Sequence, residues 1–214
     1  MPNWVTNEVK APAHVIAAMV NEAGCIDFNK LLPFAGSFPW DGVIVDAETV
    51  AEKVLDAPLN DHPLIGALQA DNRKRSSIKS LTDEGFEQFI QILRNHRSTG
   101  FMHQMDFARE TWGTKWNACD QSMPAPGVAR FDTAWSFPEP VILALSSLFP
   151  EETIQVRYAD EDIGNNCGTV TFRAGAIVEQ DRAGDWKSMT DAEKAKWEAF
   201  AYEVKGWEPE PDAA

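Results

Sequence analysis

The chain has 214 residues, of which 44% are hydrophobic and 10% aromatic, so it can bury a core and is not disordered by composition. Its 19 Lys and Arg against 33 Asp and Glu give a formal net charge of −14, which disfavours general binding to nucleic-acid phosphates and favours docking onto basic surfaces. No apolar run approaches the roughly 18 residues of a membrane span, and the polar start MPNWVTNEVK differs from a signal peptide. We therefore expect a cytoplasmic protein.

The first 34 residues predict a strand, a helix and an apolar loop. Residues 2–10 alternate in side-chain character, which predicts a first strand. Pro12 suits the first turn of a helix over residues 14–23, which Gly24 ends. The next segment, CIDFNKLLPF, is hydrophobic enough that we expect it to lie against the core.

Residues from about 36 to 108 predict a helical and irregular insertion. Scattered Gly and Pro mark irregular connections in its first half, around a short helix over residues 47–55. The stretch 72–80, NRKRSSIKS, is basic and polar and predicts an exposed or mobile segment. Thr82 suits the N-cap of a helix over residues 83–95, and a further short helix ends before Trp112.

The stretch from Thr111 to Pro140 is the most informative. It predicts a strand, a loop formed by DQSMPAPG, a second strand, and a proline-marked entry into the helix PVILALSSLF. Strand alternation would place Phe131, Thr133 and Trp135 on one face.

The C-terminal third predicts more strands and a last helix. TIQVRY (residues 153–158) is typical of a strand, and CGTVTFRAGAIVEQDR predicts one strand or a pair. Thr190-x-x-Glu193 is a capping box that opens a helix over residues 191–205. The tail, residues 208–214, is expected to be disordered.

Without the insertion, the order of elements is βαββαβ. This order predicts a single α+β domain over residues 1–207 with a ferredoxin-like, split-βαβ antiparallel sheet and helices on one face. The helical insertion and the C-terminal helix are additions to that core.

Several motifs carry a family resemblance: MPNW, DFNKLLPF, WGTKWNA, F-x-TAW followed by FPEPV, and the Tyr-Ala-Asp-Glu turn. Over most of the chain, except roughly residues 36–80 and the tail, they make the sequence resemble the YubB-like proteins of phages and conjugative plasmids. The resemblance implies a ferredoxin-like domain and a mobile-element origin. It implies no particular activity.

Catalytic motifs are weak. G-x-S-x-G, the P-loop and G-x-G-x-x-G are absent. The strongest chemical candidates are Cys119 beside Asp120, with Lys115 as an activating charge, and a metal site built from His96, His103 and Asp106. Packing and capping explain these residues at least as well, as burial does for Cys25 and Cys167. We therefore expect a non-catalytic protein without cofactor or metal.

Two binding hypotheses remain. In the first, a phage or plasmid accessory protein inhibits a host nucleic-acid-targeting defence complex in the host cytoplasm. It would do so by protein–protein contact, as an anti-CRISPR-like inhibitor and possible DNA mimic. The acidic candidates for partner binding are Glu151, Glu152, Asp160, Glu161, Asp162, Glu179 and Asp181. The inference to anti-defence is an association, because fold does not fix function.

In the alternative, an aromatic sheet face binds single-stranded nucleic acid by stacking with the bases, as other ferredoxin-like modules do. The candidate platform consists of Trp112, Lys115, Trp116, Phe131 and Trp135, helped by the basic stretch 73–79. The net charge opposes this hypothesis, and Trp112 and Trp116 could equally fill the core.

Overall fold

The computed structural model describes residues 3–209 and divides the chain into two compact units. The first unit comprises the chain up to Pro33 and from Ala108 onward, and the second comprises Phe34–Phe107. The predicted disordered tail falls almost entirely outside the described residues, since the description ends at Pro209. Among the residues described, no helix is both long and apolar enough to cross a membrane.

The first unit is built on a six-stranded antiparallel sheet with the strand order β2-β3-β1-β4-β5-β6. Its strands are β1 (Trp4–Lys10), β2 (Cys119–Ala125), β3 (Val128–Ala134), β4 (Thr153–Asp160), β5 (Gly168–Arg173) and β6 (Ala176–Arg182). The first four, with helices α1 (Ala13–Ala17) and α6 (Glu139–Leu148), reproduce the order βαββαβ. The predicted ferredoxin-like α+β fold is therefore confirmed, and β5 and β6 widen its sheet.

One face of the sheet, which we call the core face, is apolar. Successive side chains on a strand point to opposite faces, so Val5, Asn7 and Val9 of β1 share this face. All three are fully buried. Tyr158 of β4 lies on this face opposite Asn7 and stacks on Phe137, just before α6, at 4.9 Å between ring centroids. Helix α6 packs against β4, β5 and β6.

Helix α7 (Asp191–Lys205) covers the other face. Ala159, next to Tyr158 and therefore on the opposite side, packs with Trp197 and Ala201 of this helix. Arg157 pairs with Glu203 at 2.8 Å. The helix begins at the predicted capping box, in which the Thr190 hydroxyl accepts a hydrogen bond from the Glu193 N–H and the Glu193 carboxylate accepts one from the Thr190 N–H.

The first helix is shorter than predicted. Instead of continuing to residue 23, α1 ends at Ala17, and Val20 forms an isolated bridge with Ile26. The Asn21 side chain accepts hydrogen bonds from the backbone N–H groups of Ala23 and Cys25 at 3.0 Å each. Asn side chains compete for backbone donors in this way and favour a turn over helix continuation.

The predicted strand starting at Thr111 is wrong, and most of the predicted loop DQSMPAPG is a strand, with only its last two residues in a turn. Residues 112–118 form an irregular connection of turn and bends, with φ at +74° at Gly113, so Trp112 and Trp116 do not lie on a strand. Strand β2 occupies residues 119–125 and pairs with β3 with two register shifts. Pro124 is tolerated there because β2 is an edge strand.

The second unit is helical. Its elements are α2 (Val45–Val54), α3 (Pro63–Arg75), α4 (Asp83–Thr99) and the start of α5 (Gln104–Thr111). A small core of Ala47, Val50, Ala51, Phe89 and Ile92 joins α2 to α4. Helix α3 was not predicted, because its apolar residues do not form a buried stripe and only its Gly66 is buried.

Candidate functional site

Two of the five predicted platform residues lie in the core. Phe131 is fully buried and Trp112 is 1% exposed. The ring of Phe28 touches both edge-on, at 5.6 Å from Trp112 and 5.7 Å from Phe131 between ring centroids. These two residues therefore cannot stack with a base, and the opposite sheet face is covered by α7.

The other three platform residues form a partly exposed group with Trp4. The Lys115 ammonium lies 4.5 Å from the ring centroid of Trp116 and 4.9 Å from that of Trp135. Trp116 is 39% exposed and Trp135 48% exposed, and the ring of Trp4 lies 5.8 Å from that of Trp116. We call these four residues the Trp–Lys cluster. It lies where β1 begins and β3 ends, since Trp4 pairs with Ala134.

Trp135 does not share a face with Phe131 and Thr133, as the alternation predicted. The strand ends at Ala134, and Trp135 has φ of +68°, a left-handed conformation that is unusual for a bulky residue. Its N–H donates to the Asn3 carbonyl at 2.9 Å, and its carbonyl accepts from the Asn166 amide at 3.1 Å. Such strain persists only where the surroundings impose it, and it is often found at binding sites.

Acidic residues at the end of β4 lie beside this cluster. Asp160 is 4% exposed and accepts hydrogen bonds from the Asn3 amide, the Asp162 backbone and the Asn166 amide, so it is structural. Glu161 is exposed and accepts a bond from the backbone N–H of Trp4 at 3.1 Å. Glu161 and Asp162 are thus the two exposed carboxylates of this acidic turn.

The remaining four acidic candidates lie elsewhere. Glu151 and Glu152 precede β4, whose eight residues separate them from Asp160 by roughly 25 Å at ~3.3 Å per residue. Glu179 and Asp181 lie on the edge strand β6, where Asp181 pairs with Lys196 at 2.8 Å. The structure therefore distributes the seven carboxylates over three places rather than one.

Lys205 is a buried cation next to the Trp–Lys cluster, and no sequence pattern above indicated it. It is 8% exposed, and its Nζ donates to the Trp4 carbonyl at 3.1 Å. Burial lowers the pKa of Lys205, and the nearby Asp132 acts in the opposite direction. The helical spacing of Trp197, Ala201 and Lys205 could have indicated its burial, because it places Lys205 on the same stripe as two apolar residues.

The cysteine candidate lacks activation. Burial, with the charges of Asp120 and Asp132, raises the pKa of the Cys119 thiol to about 11. Burial, with the charge of Asp160, raises the pKa of Cys167 to about 12. A nucleophilic thiol requires the opposite shift.

The histidine candidate is a helix-capping group. His103 is 1% exposed, and its Nδ1 accepts a hydrogen bond from the Asp106 backbone N–H at 3.0 Å. Its Nε2 therefore carries the proton and donates to Glu48 at 3.0 Å. The Asp106 carboxylate accepts from the Met102 N–H at 2.9 Å. Within residues 3–209, no group of three His, Cys, Asp or Glu side chains could hold a metal ion.

One comparison with known proteins, the match to a family model, agrees with the fold. Residues 111–202 match a family model described as the ferredoxin-like domain in Api92-like protein. Among solved structures, the chain is similar to the crystal structure of a protein Api92 from Yersinia pseudotuberculosis. The sequence identity is 13% and the TM-score 0.35, and the match covers 86% of this chain and 99% of that chain. No curated protein matches the sequence. The family-model match bears out the ferredoxin-like part of the resemblance, while the link to phage and plasmid YubB-like proteins stays a prediction. Residues 111–202 are thus similar to the ferredoxin-like domain of Api92-like proteins.

Proposed function

We propose that this protein is a non-catalytic binding protein of a mobile element. In this proposal it inhibits a host nucleic-acid-targeting defence complex, as an anti-CRISPR-like protein, by contacting a basic surface of that complex. The observation that carries the proposal is the placement of the Trp–Lys cluster, with its exposed Trp116 and Trp135, and of the exposed Glu161 and Asp162 at one end of the sheet. Exposed tryptophans supply contact energy at protein interfaces, and charged groups beside them steer the partner.

The charge distribution supports this location. With 12 Lys and Arg and 22 Asp and Glu, the first unit carries −10, whereas the second, with 7 and 11, carries −4. A basic partner is therefore attracted more strongly to the unit that holds the Trp–Lys cluster. The spread of the other carboxylates favours a local contact over an extended imitation of a DNA backbone.

The experiment mixes the purified protein with a candidate defence complex and measures binding and target cleavage. The double variant Glu161→Gln and Asp162→Asn removes two charges beside the cluster. Its control, Glu151→Gln and Glu152→Gln, removes two charges at the other end of β4. We expect the first variant to inhibit at least tenfold more weakly and the control to inhibit as the wild type does. Failure of the wild-type protein to bind or inhibit at micromolar excess refutes the proposal for that complex.

The second candidate is single-stranded nucleic-acid binding, which the exposure of Trp116 and Trp135 beside Lys115 favours. Two of the proposed aromatic platform residues, Trp116 and Trp135, remain available for stacking, in the loop and turn rather than on the sheet. A gel shift with an oligonucleotide at low salt tests it. Binding that weakens steeply with salt supports this candidate, and no shift removes it.

A further inference from the structure

We propose that the Trp–Lys cluster is a binding site for a cationic side chain of a basic protein segment, and that Lys115 occupies this site in the free protein. The inference rests on the proposed function, because it specifies the chemistry by which the basic partner is recognised. It assigns Lys115 the role of an internal competitor that the incoming side chain displaces.

The position of Lys115 shows that the site accepts a cation. Its ammonium lies within 5 Å of two indole ring centroids. Indole is the aromatic ring that attracts cations most strongly, and the attraction acts within about 6 Å of the centroid. In the part of the chain that the structure describes, no carboxylate lies within salt-bridge distance of Lys115. The two rings are therefore the groups that hold its charge.

The rings are held in place but remain open to solvent. Trp116 is braced by Trp4 at 5.8 Å, and Trp135 is fixed by hydrogen bonds on both sides of its left-handed backbone. Both indoles nevertheless keep more than a third of their surface exposed. A partner's side chain can therefore reach ring faces whose positions are already set, which lowers the entropy cost of binding.

The neighbouring charges select a cation over a phosphate. The exposed Glu161 carboxylate bonds the Trp4 N–H, and the exposed Asp162 follows it in the same turn. Carboxylates attract a guanidinium or ammonium group and repel a nucleic-acid backbone. An arginine fits better than a lysine, because its planar guanidinium stacks on an aromatic face and binds a carboxylate with two parallel hydrogen bonds.

Removal of Lys115 distinguishes this inference from nucleic-acid binding, because the two predict opposite changes in ligand affinity. If Lys115 competes with the ligand, Lys115→Ala binds a tetra-arginine peptide more tightly. If Lys115 instead contacts phosphates, the same variant binds an oligonucleotide more weakly.

The experiment titrates the full-length protein with tetra-arginine, tetra-lysine and oligothymidylate and follows tryptophan fluorescence. We expect Lys115→Ala to bind tetra-arginine about threefold to tenfold more tightly than the wild type. The control, Lys187→Ala, removes the same charge from an exposed position in the same unit and should change the affinity less than twofold. We expect the double variant Trp116→Ala and Trp135→Ala to weaken binding at least fivefold, because each cation–π contact at an exposed site contributes about a factor of 2 to 5.

Weaker binding of tetra-arginine by Lys115→Ala, or an effect equal to that of Lys187→Ala, overturns the inference. So does oligothymidylate binding that depends on Lys115. The proposed function is tested separately by inhibition of the defence complex. If the protein binds tetra-arginine but does not inhibit the defence complex, the cation site stands and the proposed function is rejected. If the protein inhibits the complex but does not bind the peptide, only the cation site is rejected.

Discussion

The indole N–H of Trp112 donates a hydrogen bond to the carbonyl oxygen of Leu32 at 2.9 Å. This bond ties the turn before β2 to the end of the apolar segment 25–34. Only four residues further on, Trp116 is exposed and packs against Trp4. Two tryptophans of one short turn thus have different roles, one in the core and the other at the candidate site.

The first prediction separates these roles by substitution. Trp112→Ala should lower the free energy of unfolding by about 3–5 kcal/mol, because it empties a buried site and leaves the Leu32 carbonyl without its donor. Trp116→Ala should change it by less than about 1 kcal/mol, since the ring is exposed. Urea unfolding followed by circular dichroism measures both. Equal losses would show that Trp116 also belongs to the core.

The second prediction concerns the backbone of Trp135. Trp135→Gly and Trp135→Ala lose the same ring, but only glycine adopts φ near +68° without steric cost. The glycine variant should therefore be about 1 kcal/mol more stable than the alanine variant. Thermal unfolding of the pair checks this, and the reverse order would mean that the left-handed backbone is not strained.

The third prediction concerns which of the three cysteine thiols react with an alkylating reagent. Because burial raises the pKa values of Cys119 and Cys167 to about 11 and 12, both remain protonated at pH 8. Cys25 is exposed. Iodoacetamide at pH 8 should modify Cys25 and leave the other two thiols unmodified until the protein is unfolded in guanidinium. Mass spectrometry of the digested protein reports each site, and rapid alkylation of Cys119 would revive a nucleophilic role for it.

The fourth prediction tests the buried capping histidine of the second unit. His103→Ala should destabilise the protein by about 2–4 kcal/mol, because it empties a buried site and removes the hydrogen bonds to Glu48 and from the Asp106 N–H. His62 is exposed, and His62→Ala serves as the control with little expected change. The addition of zinc should stabilise neither the wild type nor either variant. Zinc-dependent stabilisation that is lost with His103 would contradict the capping role.

The fifth prediction is a pH dependence due to Lys205. Its pKa is lowered from 10.5 by burial, so the unfolded chain binds its proton more tightly than the folded protein does. Between the lowered pKa and 10.5, stability therefore rises with pH, and it falls as the pH drops through this range. Lys205→Met removes this contribution.

Urea midpoints of the wild type and Lys205→Met measured from pH 7 to 10.5 check the prediction. Their difference isolates Lys205 from the other groups that titrate in this range. A difference that does not change with pH would show that the folded state does not perturb Lys205.

Much of the fold could be predicted from local signals. Alternation located β1 and β4, and a capping box located the start of α7. Edge strand β2 could not be found in this way, because its polar, proline-containing sequence is tolerated only where one side lacks a partner. Helix α3 was missed because its apolar residues are exposed.

The candidate site was predicted only in part. Their aromatic and basic character indicates Lys115, Trp116 and Trp135, but their grouping with Trp4 depends on the register between β1 and β3, which joins residues 130 positions apart. Trp112 and Phe131 were named with them because the spacing of aromatic residues does not distinguish a buried ring from an exposed one. The reversal at Trp135 depends on Asn3 and Asn166, which are also remote in sequence.

The contact between Lys205 and Trp4 joins residues 201 positions apart. During synthesis, β1 therefore leaves the ribosome long before β3, β4 and α7 exist to cover it. The second unit is a continuous segment, Phe34–Phe107, whose contacts form locally and quickly. During translation the helical unit should therefore fold first. Strand β1 should stay unpaired and accessible to chaperones until nearly all of the sheet has been synthesised.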